Sequence, residues 1–449
     1  MQGIEFKCES RIVSRAKLCL ERMSTFPGAS FPQMFNSSAE LEGFYRLLNN
    51  PHFEVKEVLA ATSAATFGKI PEDQDEIIAI HDTTKILPKV AGEEFGPTTS
   101  SASPGFFAHV SLLSKLSPRP FVYGVGDIFF WTRGQLDKKS PEIESTRWYQ
   151  QVESLEGRKK SSKKIIHVMD REGDSYELFG NLVATQRSFV IRLAHDRVIK
   201  GEGKASQHLF ATMETTDIVV EKEVRLSRRS KSPFLKTNKI YPPREARKTK
   251  LSLSAQKINF TKSGWLKRNQ RGQSLPETLE LNVVRVIETN PPVGEKPVQW
   301  LLITSEPIDS PEQIIKVVDI YRRRWIVEEF FKALKTGCQI EQRLLASLEP
   351  WYKMLSLFMN VATTILNLRL LDEKELSALH ILSPTQKKIL EQWAQKRGKT
   401  LSQLSDFKAE IAKLGGHIHS SGPPGWIVLA RGMEKLLILE LGWSLHCNM

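Results

Sequence analysis

The chain has 449 residues, and at about 100–200 residues per domain this length predicts two to four domains. With 40% hydrophobic and 26% charged residues, the composition excludes a disordered or collagen-like chain. Lysine and arginine number 64 against 51 aspartate and glutamate residues, a formal net charge of +13. A polyanion is therefore the first partner to consider.

The cysteine content indicates a reducing compartment, and the hydropathy predicts no membrane span. The four cysteines are too few and too scattered for a disulfide framework or a clustered zinc site, which fits the cytosol. The opening residues MQGIEFKCESR do not resemble a signal peptide. The most apolar stretch, 354–371, contains Asn360, Asn367 and Arg369, so it predicts a buried core helix and not a membrane span.

The first 70 residues predict a helical region. Apolar residues recur at helical spacing in RIVSRAKLCLERM and AELEGFYRLL, and the sequence NNP at 49–51 ends the second of these segments.

Residues 71–195 predict alternating strands and helices, which favours a mixed sheet flanked by helices. The apolar run EIIAIHD ends at Asp82, and IIHVMD ends at Asp170. Between them, FFAHVSLLS and PFVYGVGDIFF predict a hairpin joined by 115–119, and a helix begins at Ser140 or Pro141. The helix SYELFGNLVATQR and the strand SFVIRLAH follow.

Residues 196–305 predict an all-β segment that carries the positive charge of the chain. Between residues 222 and 271 there are sixteen lysines and arginines against two glutamates, a local charge of +14, so the rest of the chain sums to −1. From Pro311 to the end the pattern is helical, apart from a turn-rich stretch at 415–426.

The segment DIYRRRWIVEEFFKALKTG predicts one amphipathic helix with a charged face. At about 100° per residue, one side carries an acid, an aromatic hydroxyl and cations, namely Tyr321, Arg324, Glu328, Lys332 and Lys335. A carboxylate among cations suits phosphate chemistry, in which the acid binds a metal ion and the cations hold phosphate oxygens. The alternative is a solvated face with ion pairs Arg324–Glu328 and Glu328–Lys332.

Two further acids stand at predicted strand ends, where side chains of a sheet can converge. Asp82, Asp170 and the helical Glu328 are oxygen ligands of the kind that hard divalent ions prefer. They would suffice to hold two ions about 3.5–4 Å apart for in-line attack on a phosphodiester. The alternative for each aspartate is a cap or turn former.

The spacing Tyr-x₂-Arg-x₃-Glu-x₆-Lys is kept in full by Tyr321, Arg324, Glu328 and Lys335. With HDTTK around Asp82, DREGD around Asp170 and ESTRW at 144–148, the sequence resembles the DDE transposases of the insertion sequence 4 family. The resemblance extends through FYRLLNNP, FVIR, NPPVGEKPVQWLLITSEP and KLGGHIHSSGPPGW, and so covers most of the chain.

The resemblance implies an α/β fold with an RNase H-like mixed-sheet core. This core would comprise 71–195 and 306–372, interrupted by the β insertion at 196–305. A helical DNA-binding region, 1–70, would precede it and a helical dimerisation region, 373–449, would follow it.

The resemblance also assigns site residues. Asp82, Asp170 and Glu328 would be the catalytic, metal-binding triad for two Mg²⁺ ions, with Mn²⁺ as a substitute. The DNA-contacting residues would be Tyr321, Arg324, Lys332, Lys335, Trp300 and Arg192. In this set Trp300 would stack on a flipped base, against the alternative of a core tryptophan, and Arg192 would contact phosphate, against a structural salt bridge.

Two neighbouring acids are expected to stand outside this set. Asp174 precedes a predicted helix and is expected to be its N-cap. Glu329 lies about 100° from Glu328 and is not expected to reach the same metal ions.

The implied activity is Mg²⁺-dependent cleavage of double-stranded DNA at the terminal inverted repeats of a transposon, followed by strand transfer through a hairpin intermediate. A homodimer in a synaptic complex would act in the bacterial cytoplasm, associated with the nucleoid when bound to DNA. Two alternatives stay open. One is a non-catalytic, N-terminally shortened partner of a full-length transposase, and the other is a two-metal nuclease without strand transfer.

Overall fold

The computed structural model describes residues 4–98, 103–117, 120–133, 141–159, 163–201, 206–229, 231, 242–269, 272–370, 382–418 and 424–447. The fold is mixed α/β, and the chain divides into two compact units. Unit 1 comprises Met1–Lys164 and Trp325–Met449, and unit 2 comprises Ile165–Arg324.

The α-helices of the described residues are α1 (Ser10–Thr25), α2 (Phe31–Met34), α3 (Ser38–Leu48), α4 (Val55–Phe67), α5 (Pro141–Arg158), α6 (Tyr176–Ala184), α7 (Leu209–Thr215), α8 (Gly264–Arg268), α9 (Pro311–Arg322), α10 (Trp325–Lys332), α11 (Leu348–Leu370), α12 (Pro384–Gln395), α13 (Leu404–Leu414) and α14 (Trp426–Cys447).

The strands are β1 (Glu76–Ile86), β2 (Gly96–Pro97), β3 (Pro104–Lys115), β4 (Val122–Trp131), β5 (Lys164–Met169), β6 (Ser188–Arg192), β7 (Val198–Lys200), β8 (Ser206–His208), β9 (Val220–Leu226), β10 (Arg247–Thr261), β11 (Thr278–Glu288) and β12 (Gln299–Thr304).

Helices α1 to α4 confirm the predicted helical N-terminal region. The α3 helix begins where the Ser37 hydroxyl accepts a hydrogen bond from the Glu40 amide at 3.2 Å, and it ends at Leu48, directly before the sequence NNP. Phe31 and Phe44, whose ring centroids lie 4.8 Å apart, belong to the buried core of this region.

Two buried cations bind carbonyl groups of the N-terminal region. Arg343 donates to the carbonyls of Pro27 at 2.7 Å, of Ala29, and of Cys338 at 2.8 Å, and its burial lowers its pKa to about 10. Lys353, which is 1% exposed, donates to the carbonyls of Leu48 and Asn50 at 3.0 and 2.9 Å. The N-terminal helices are therefore hydrogen-bonded into unit 1 through groups that water does not reach.

The sheet of unit 1 is antiparallel, with β3 between β1 and β4 and the short β2 also paired to β3. The β3–β4 pairing confirms the predicted hairpin. Helices α4 and α11 pack on β4, and α5 packs on β3 and β4. The described part of α5 begins at Pro141, one of the two predicted starts.

Strand β1 is longer than predicted. The apolar run suggested an end at Asp82, but pairing with β3 continues from Asp82↔Val110 to Ile86↔Phe106. The continuation is favoured because Thr83 and Thr84 are β-branched and Ile86 is fully buried. Asp82 therefore lies within a strand and not at its end, whereas β5 does end at Met169, just before Asp170.

Unit 2 contains a mixed sheet in which β5 and β6 are parallel and the other pairs are antiparallel. The order runs β5-β6-β12-β11-β10, and β7 and β9 also pair with β10. Its longest antiparallel pairing joins β10 and β11, from Leu251↔Glu288 to Thr261↔Thr278. The all-β prediction for 196–305 was wrong in one respect, because this range also contains the short helices α7 and α8.

The long apolar segment forms α11, whose residues are almost all buried, as predicted for a core helix. Among the described helices, none combines the length and hydropathy of a membrane span. Helices α12, α13 and α14 confirm the helical C-terminal region, and they share a hydrophobic cluster that includes Leu390, Ile411 and Leu436.

Replacing Lys353 with methionine tests the carbonyl contacts of the N-terminal region. The Lys353→Met variant keeps the aliphatic bulk but leaves the Leu48 carbonyl without its donor, whereas the Asn50 carbonyl still accepts from the Phe53 amide at 3.1 Å. An unsatisfied buried carbonyl costs about 1–3 kcal/mol. We expect a lower free energy of unfolding in urea titrations monitored by circular dichroism. Lys56→Met, which removes an exposed lysine, is the control, and equal curves for the two variants would contradict the prediction.

Candidate active site

Asp82 and Glu328 lie on neighbouring elements of unit 1. Asp82 is half-buried on β1, and its Oδ1 accepts a hydrogen bond from the Thr83 amide at 2.7 Å. Glu328 is exposed on α10, which buries Ile326 and Phe330 and packs against β1. Unit 1 therefore supplies two of the three predicted metal-binding carboxylates.

The predicted continuous helix from 319 to 337 was wrong. Helix α9 ends at Arg322, and the amides of Arg323 and Arg324 donate to the carbonyls three residues earlier at 3.1 and 3.0 Å. These i→i+3 bonds form a tight turn, after which α10 begins at Trp325. The same point divides the two units, so Tyr321 and Arg324 belong to unit 2 and Glu328 belongs to unit 1.

Lys335 lies in a π-helical turn, Ala333–Gly337, in which the Cys338 amide donates to the Ala333 carbonyl at 2.9 Å. A π turn holds more residues than an α turn, so the angle calculated for Lys335 at 100° per residue does not apply. Its ammonium group donates to the Lys85 carbonyl on β1 and lies 3.3 Å from the Glu341 carboxylate. Lys335 is thus attached to the strand that carries Asp82.

Glu341 was not identified from the sequence. Its carboxylate accepts from the Leu87 amide at 3.0 Å and pairs with Lys335, so it joins the end of β1 to the π turn. No helical spacing relates Glu341 to Lys335, because the chain between them leaves the helix through a left-handed residue, Gln339, at φ 47°.

Lys332 pairs with Glu329 at 2.6 Å, and Glu329 also lies 3.5 Å from Arg369. Lys332, a predicted DNA-contacting residue, thus pairs with the acid three residues earlier, whereas the alternative of a solvated face paired it with Glu328. Glu329 is thus engaged by two cations, and its exclusion from the metal-binding set stays a prediction.

Asp170 lies at the end of β5, as predicted. Its Oδ1 accepts from the Glu172 amide at 2.9 Å, so it also caps the 3₁₀ turn Arg171–Gly173. Only one of its carboxylate oxygens is needed for this capping bond, and the side chain is half-buried.

The prediction that Asp174 caps the following helix was wrong. The capping position of α6 is Ser175. The buried Asp174 carboxylate instead accepts from the amides of Ala194 and His195 at 2.6 and 2.9 Å and pairs with Arg197. A carboxylate with these partners fixes the loop after β6, because separating it from them would leave a buried charge.

Arg192, Trp300 and Tyr321 form a cluster in unit 2. The rings of Trp300 and Tyr321 meet edge to face, with centroids 5.6 Å apart. Arg192 donates to the Gln299 carbonyl at 3.3 Å, and its guanidinium lies close enough to the Tyr321 hydroxyl to act on the pKa of that group. This cluster contains three of the predicted DNA-contacting residues.

Burial raises the pKa of Tyr321, which is 6% exposed. The charges of Arg192 and Arg324 and the hydrogen bond from Arg192 act against this rise in pKa, and the charge of Asp170 adds to it. Asp170 and Arg324 are therefore electrostatic neighbours of the cluster. The Tyr321 hydroxyl remains protonated at neutral pH and can donate a hydrogen bond to a phosphate oxygen.

The cationic segment 222–271 is partly neutralised by acids from elsewhere in unit 2. Lys222 pairs with Asp319 at 2.6 Å, and Arg247 pairs with Glu288 and Glu295. Similar pairs join Lys257 to Glu280 and join Lys262 and Lys267 to Glu277. Residues 230, 232–241 and 270–271 of this segment lie outside the described residues.

Arg225 and Lys248 form an exposed pair of like charges. They lie directly opposite each other in the β9–β10 register, where two cations repel. A bound anion would relieve this repulsion, which makes this pair the strongest candidate for a phosphate contact on the described part of the cationic segment.

The three predicted metal-binding carboxylates all lie in the described part of the chain. No group of three or more histidine, cysteine, aspartate or glutamate side chains there is placed to hold a metal ion. The donor set itself fits Mg²⁺, because Asp82, Asp170 and Glu328 are oxygen ligands and none of them is fully buried. The convergence of the three carboxylates on one site stays a prediction.

The raised pKa of Tyr321 predicts lower stability at alkaline pH. Above the unperturbed pKa of 10.0, the phenol ionises in the unfolded chain but stays protonated in the folded one. The free energy of unfolding therefore falls as the pH rises through this range. We expect the Tyr321→Phe variant to lose less stability than the wild type between pH 10 and 11, by up to about 1.4 kcal/mol per pH unit. Urea unfolding at several pH values measures this difference, and parallel curves would refute it.

Two protein-family models match parts of the chain. Residues 144–356 match the family model described as "Transposase DDE domain", and residues 1–53 match the one described as "Transposase DNA-binding". The first match contains Asp170, Glu328 and all the predicted DNA-contacting residues, whereas Asp82 lies outside both matches. The chain therefore contains a transposase DNA-binding domain followed by a transposase DDE domain.

Proposed function

We propose that this protein is a metal-dependent DDE transposase of the insertion sequence 4 type, which cuts double-stranded DNA at transposon ends and joins the freed ends to target DNA. The observation that carries the proposal is the match of 144–356 to a transposase DDE domain that includes Asp170 and the complete Tyr-Arg-Glu-Lys spacing. The match of 1–53 supports DNA as the partner.

Asp82, Asp170 and Glu328 are the residues that would hold the metal ions, Mg²⁺ or Mn²⁺. Bound divalent ions would activate the attacking oxygen and neutralise charge on the phosphate. The protein's own contribution is to hold cations nearby. Lys335 is fixed against the Lys85 carbonyl of β1, the strand that carries Asp82, and the charges of Arg192, Arg324 and Asp170 all act on the Tyr321 hydroxyl.

The Trp300–Tyr321 contact supports a hairpin route. Trp300 is half-buried and packs its ring against Tyr321, so one part of the indole is held while another part remains accessible. An aromatic face held in this way suits stacking with an extruded base, which is worth about 1–3 kcal/mol.

The remaining proposals concern architecture and assembly. The antiparallel sheet of unit 1, the mixed sheet of unit 2 and their helices support an RNase H-like core in two sections, 71–195 and 306–372, with a β-rich insertion at 196–305. The C-terminal region 373–449 is proposed to form the homodimer of a synaptic complex, because α14 exposes Ile438, Leu439 and Leu441. A bacterial, nucleoid-associated cytoplasmic location follows from this function.

Loss of a single carboxylate tests the catalytic proposal. We expect Asp170→Asn and Glu328→Gln each to reduce Mg²⁺-dependent cleavage of terminal-repeat DNA by more than about 100-fold, because each removes a proposed direct ligand. Loss of a residue that only hydrogen-bonds to a metal ligand typically costs about 10–100-fold. Binding of the same DNA without metal should persist in gel-shift assays.

The control for this experiment is Glu280→Gln, which removes an exposed carboxylate paired with Lys257 in unit 2. Cleavage by this variant should equal that of the wild type. Undiminished cleavage by Asp170→Asn and Glu328→Gln would overturn the catalytic proposal. A wild-type protein that fails to bind the ends would favour the non-catalytic partner.

Neutralising the Arg225–Lys248 pair tests the contact with the DNA backbone. We expect Arg225→Gln and Lys248→Gln each to weaken DNA binding and to reduce the slope of log affinity against log salt by about 1. The matched control is Lys257→Gln, because alternation places Lys257 on the other side of β10 from Lys248 and its charge is paired with Glu280. A wild-type salt slope in all three variants would show that β9 and β10 do not contact the DNA backbone.

A further inference from the structure

Two side-chain hydrogen bonds flank Asp82 symmetrically across the β1–β3 pairing. The register places Asp82 opposite Val110, His81 opposite Ser111, and Thr83 opposite His109. In both flanking pairs a hydroxyl oxygen lies 2.9 Å from the Nδ1 of the facing imidazole. The strand that carries the predicted metal ligand is therefore tied to β3 by its side chains immediately before and after that ligand.

These bonds lie on the side of β1 opposite to the Asp82 carboxylate, because neighbouring side chains in a strand point to opposite faces. His81, His109 and Ser111 have no exposed surface, and the two imidazole rings stack with centroids 6.0 Å apart. Trp148 of α5 closes over His109, with ring centroids 4.4 Å apart. The His81–Ser111 pair is thus closed to water, and in the Thr83–His109 pair the imidazole is buried while Thr83 is half-buried.

An apolar core at this place would give similar packing without the cost of burying polar groups. The hydrogen-bonded pairs, unlike apolar contacts, require particular residues of β1 and β3 to face each other. If β1 slipped by one residue, both hydroxyl–imidazole bonds would break and Asp82 would turn towards the covered face. The Nε2 of His109 is buried and has no hydrogen-bond partner, so the imidazole depends on the bond between Thr83 and Nδ1 for its hydrogen bonding.

The neighbouring groups favour a neutral His109. Burial lowers its pKa, and the charge of Arg147, which lies over Trp131 and Trp148, lowers it further. A neutral imidazole keeps one nitrogen as acceptor and one as donor, so it can exchange a hydrogen bond with a hydroxyl without placing a charge in the core.

We propose that Thr83 and His109, supported by His81 and Ser111, are positioning residues that fix the register of β1 and thereby aim the Asp82 carboxylate at the metal ions. This proposal rests on the proposed function, in which Asp82 is a metal ligand. The same register sets the Lys85 carbonyl to which Lys335 is bound, so one pair of strands orients an acid and a cation together.

The experiment compares Thr83→Val, which keeps the shape of the side chain but removes the hydroxyl, with Thr83→Ser, which restores it. Binding of Mn²⁺ to the protein–DNA complex is measured by the loss of the free-Mn²⁺ electron paramagnetic resonance signal. We expect Thr83→Val to bind Mn²⁺ about 10–100-fold more weakly, Thr83→Ser to bind as the wild type does, and DNA binding without metal to be unchanged in both.

The matched structural control is Ser114→Ala. It removes another buried hydroxyl of β3, which donates to the Phe121 carbonyl at 2.8 Å, away from the Asp82 pair. Its thermal transition should fall while its Mn²⁺ affinity stays at the wild-type value. If Thr83→Val does not fold, Ser111→Ala takes its place, with the same expected direction.

The outcomes separate the two levels of the proposal. Wild-type Mn²⁺ affinity in Thr83→Val or Ser111→Ala, together with weak binding in Asp82→Asn, would overturn the positioning role but leave the proposed function intact. Wild-type Mn²⁺ affinity in Asp82→Asn would overturn the role of Asp82 as a ligand, and with it the positioning proposal. Equal loss of affinity in Thr83→Val and Thr83→Ser would also overturn it, because the hydroxyl would then be irrelevant.

Discussion

The antiparallel register of β1 against β3 is the constraint on which the site of unit 1 depends. It determines which face carries Asp82, where the Lys85 carbonyl meets Lys335, and how the strand reaches Leu87 and Glu341. A sheet tolerates no partial slip, because a shift of one residue exchanges its two faces. The polar side chains that flank Asp82 therefore have a role that apolar packing alone would not fill.

Unit 1 also uses buried cations in an unusual way. Arg343 and Lys353 bind backbone carbonyls of the N-terminal region, and Arg343 in addition lies over the rings of Phe31 and Phe358. Carbonyl groups at helix ends lack partners within the helix, and a cation satisfies several of them at once. The transposase DNA-binding domain is thus held to residues that follow α10 by directional bonds, which resist sliding more than apolar contacts do.

Local patterns predicted the elements well, and they failed where a side chain's partner was distant. The β3–β4 hairpin, the helix α6 and the strand before Asp170 follow from apolar periodicity and turn residues, which act over a few positions. Asp174 was misassigned because its partners, Ala194, His195 and Arg197, lie about twenty residues away. The count of +14 for segment 222–271 is correct, but it could not show that acids outside the segment, on β11, on α9 and in a connecting loop, pair with several of its cations.

The sequence by itself determined the chemical class of this protein, because the identity and spacing of Tyr321, Arg324, Glu328 and Lys335 are properties of the chain. Tertiary structure alone decided how those residues are divided among separate helical segments. A tight turn at Arg323 and Arg324 ends one helix, and a π turn displaces Lys335 from the calculated face. Helical periodicity assumes an uninterrupted hydrogen-bond ladder, and packing against different parts of the fold interrupts that ladder wherever the gain in burial exceeds the loss of regular bonds.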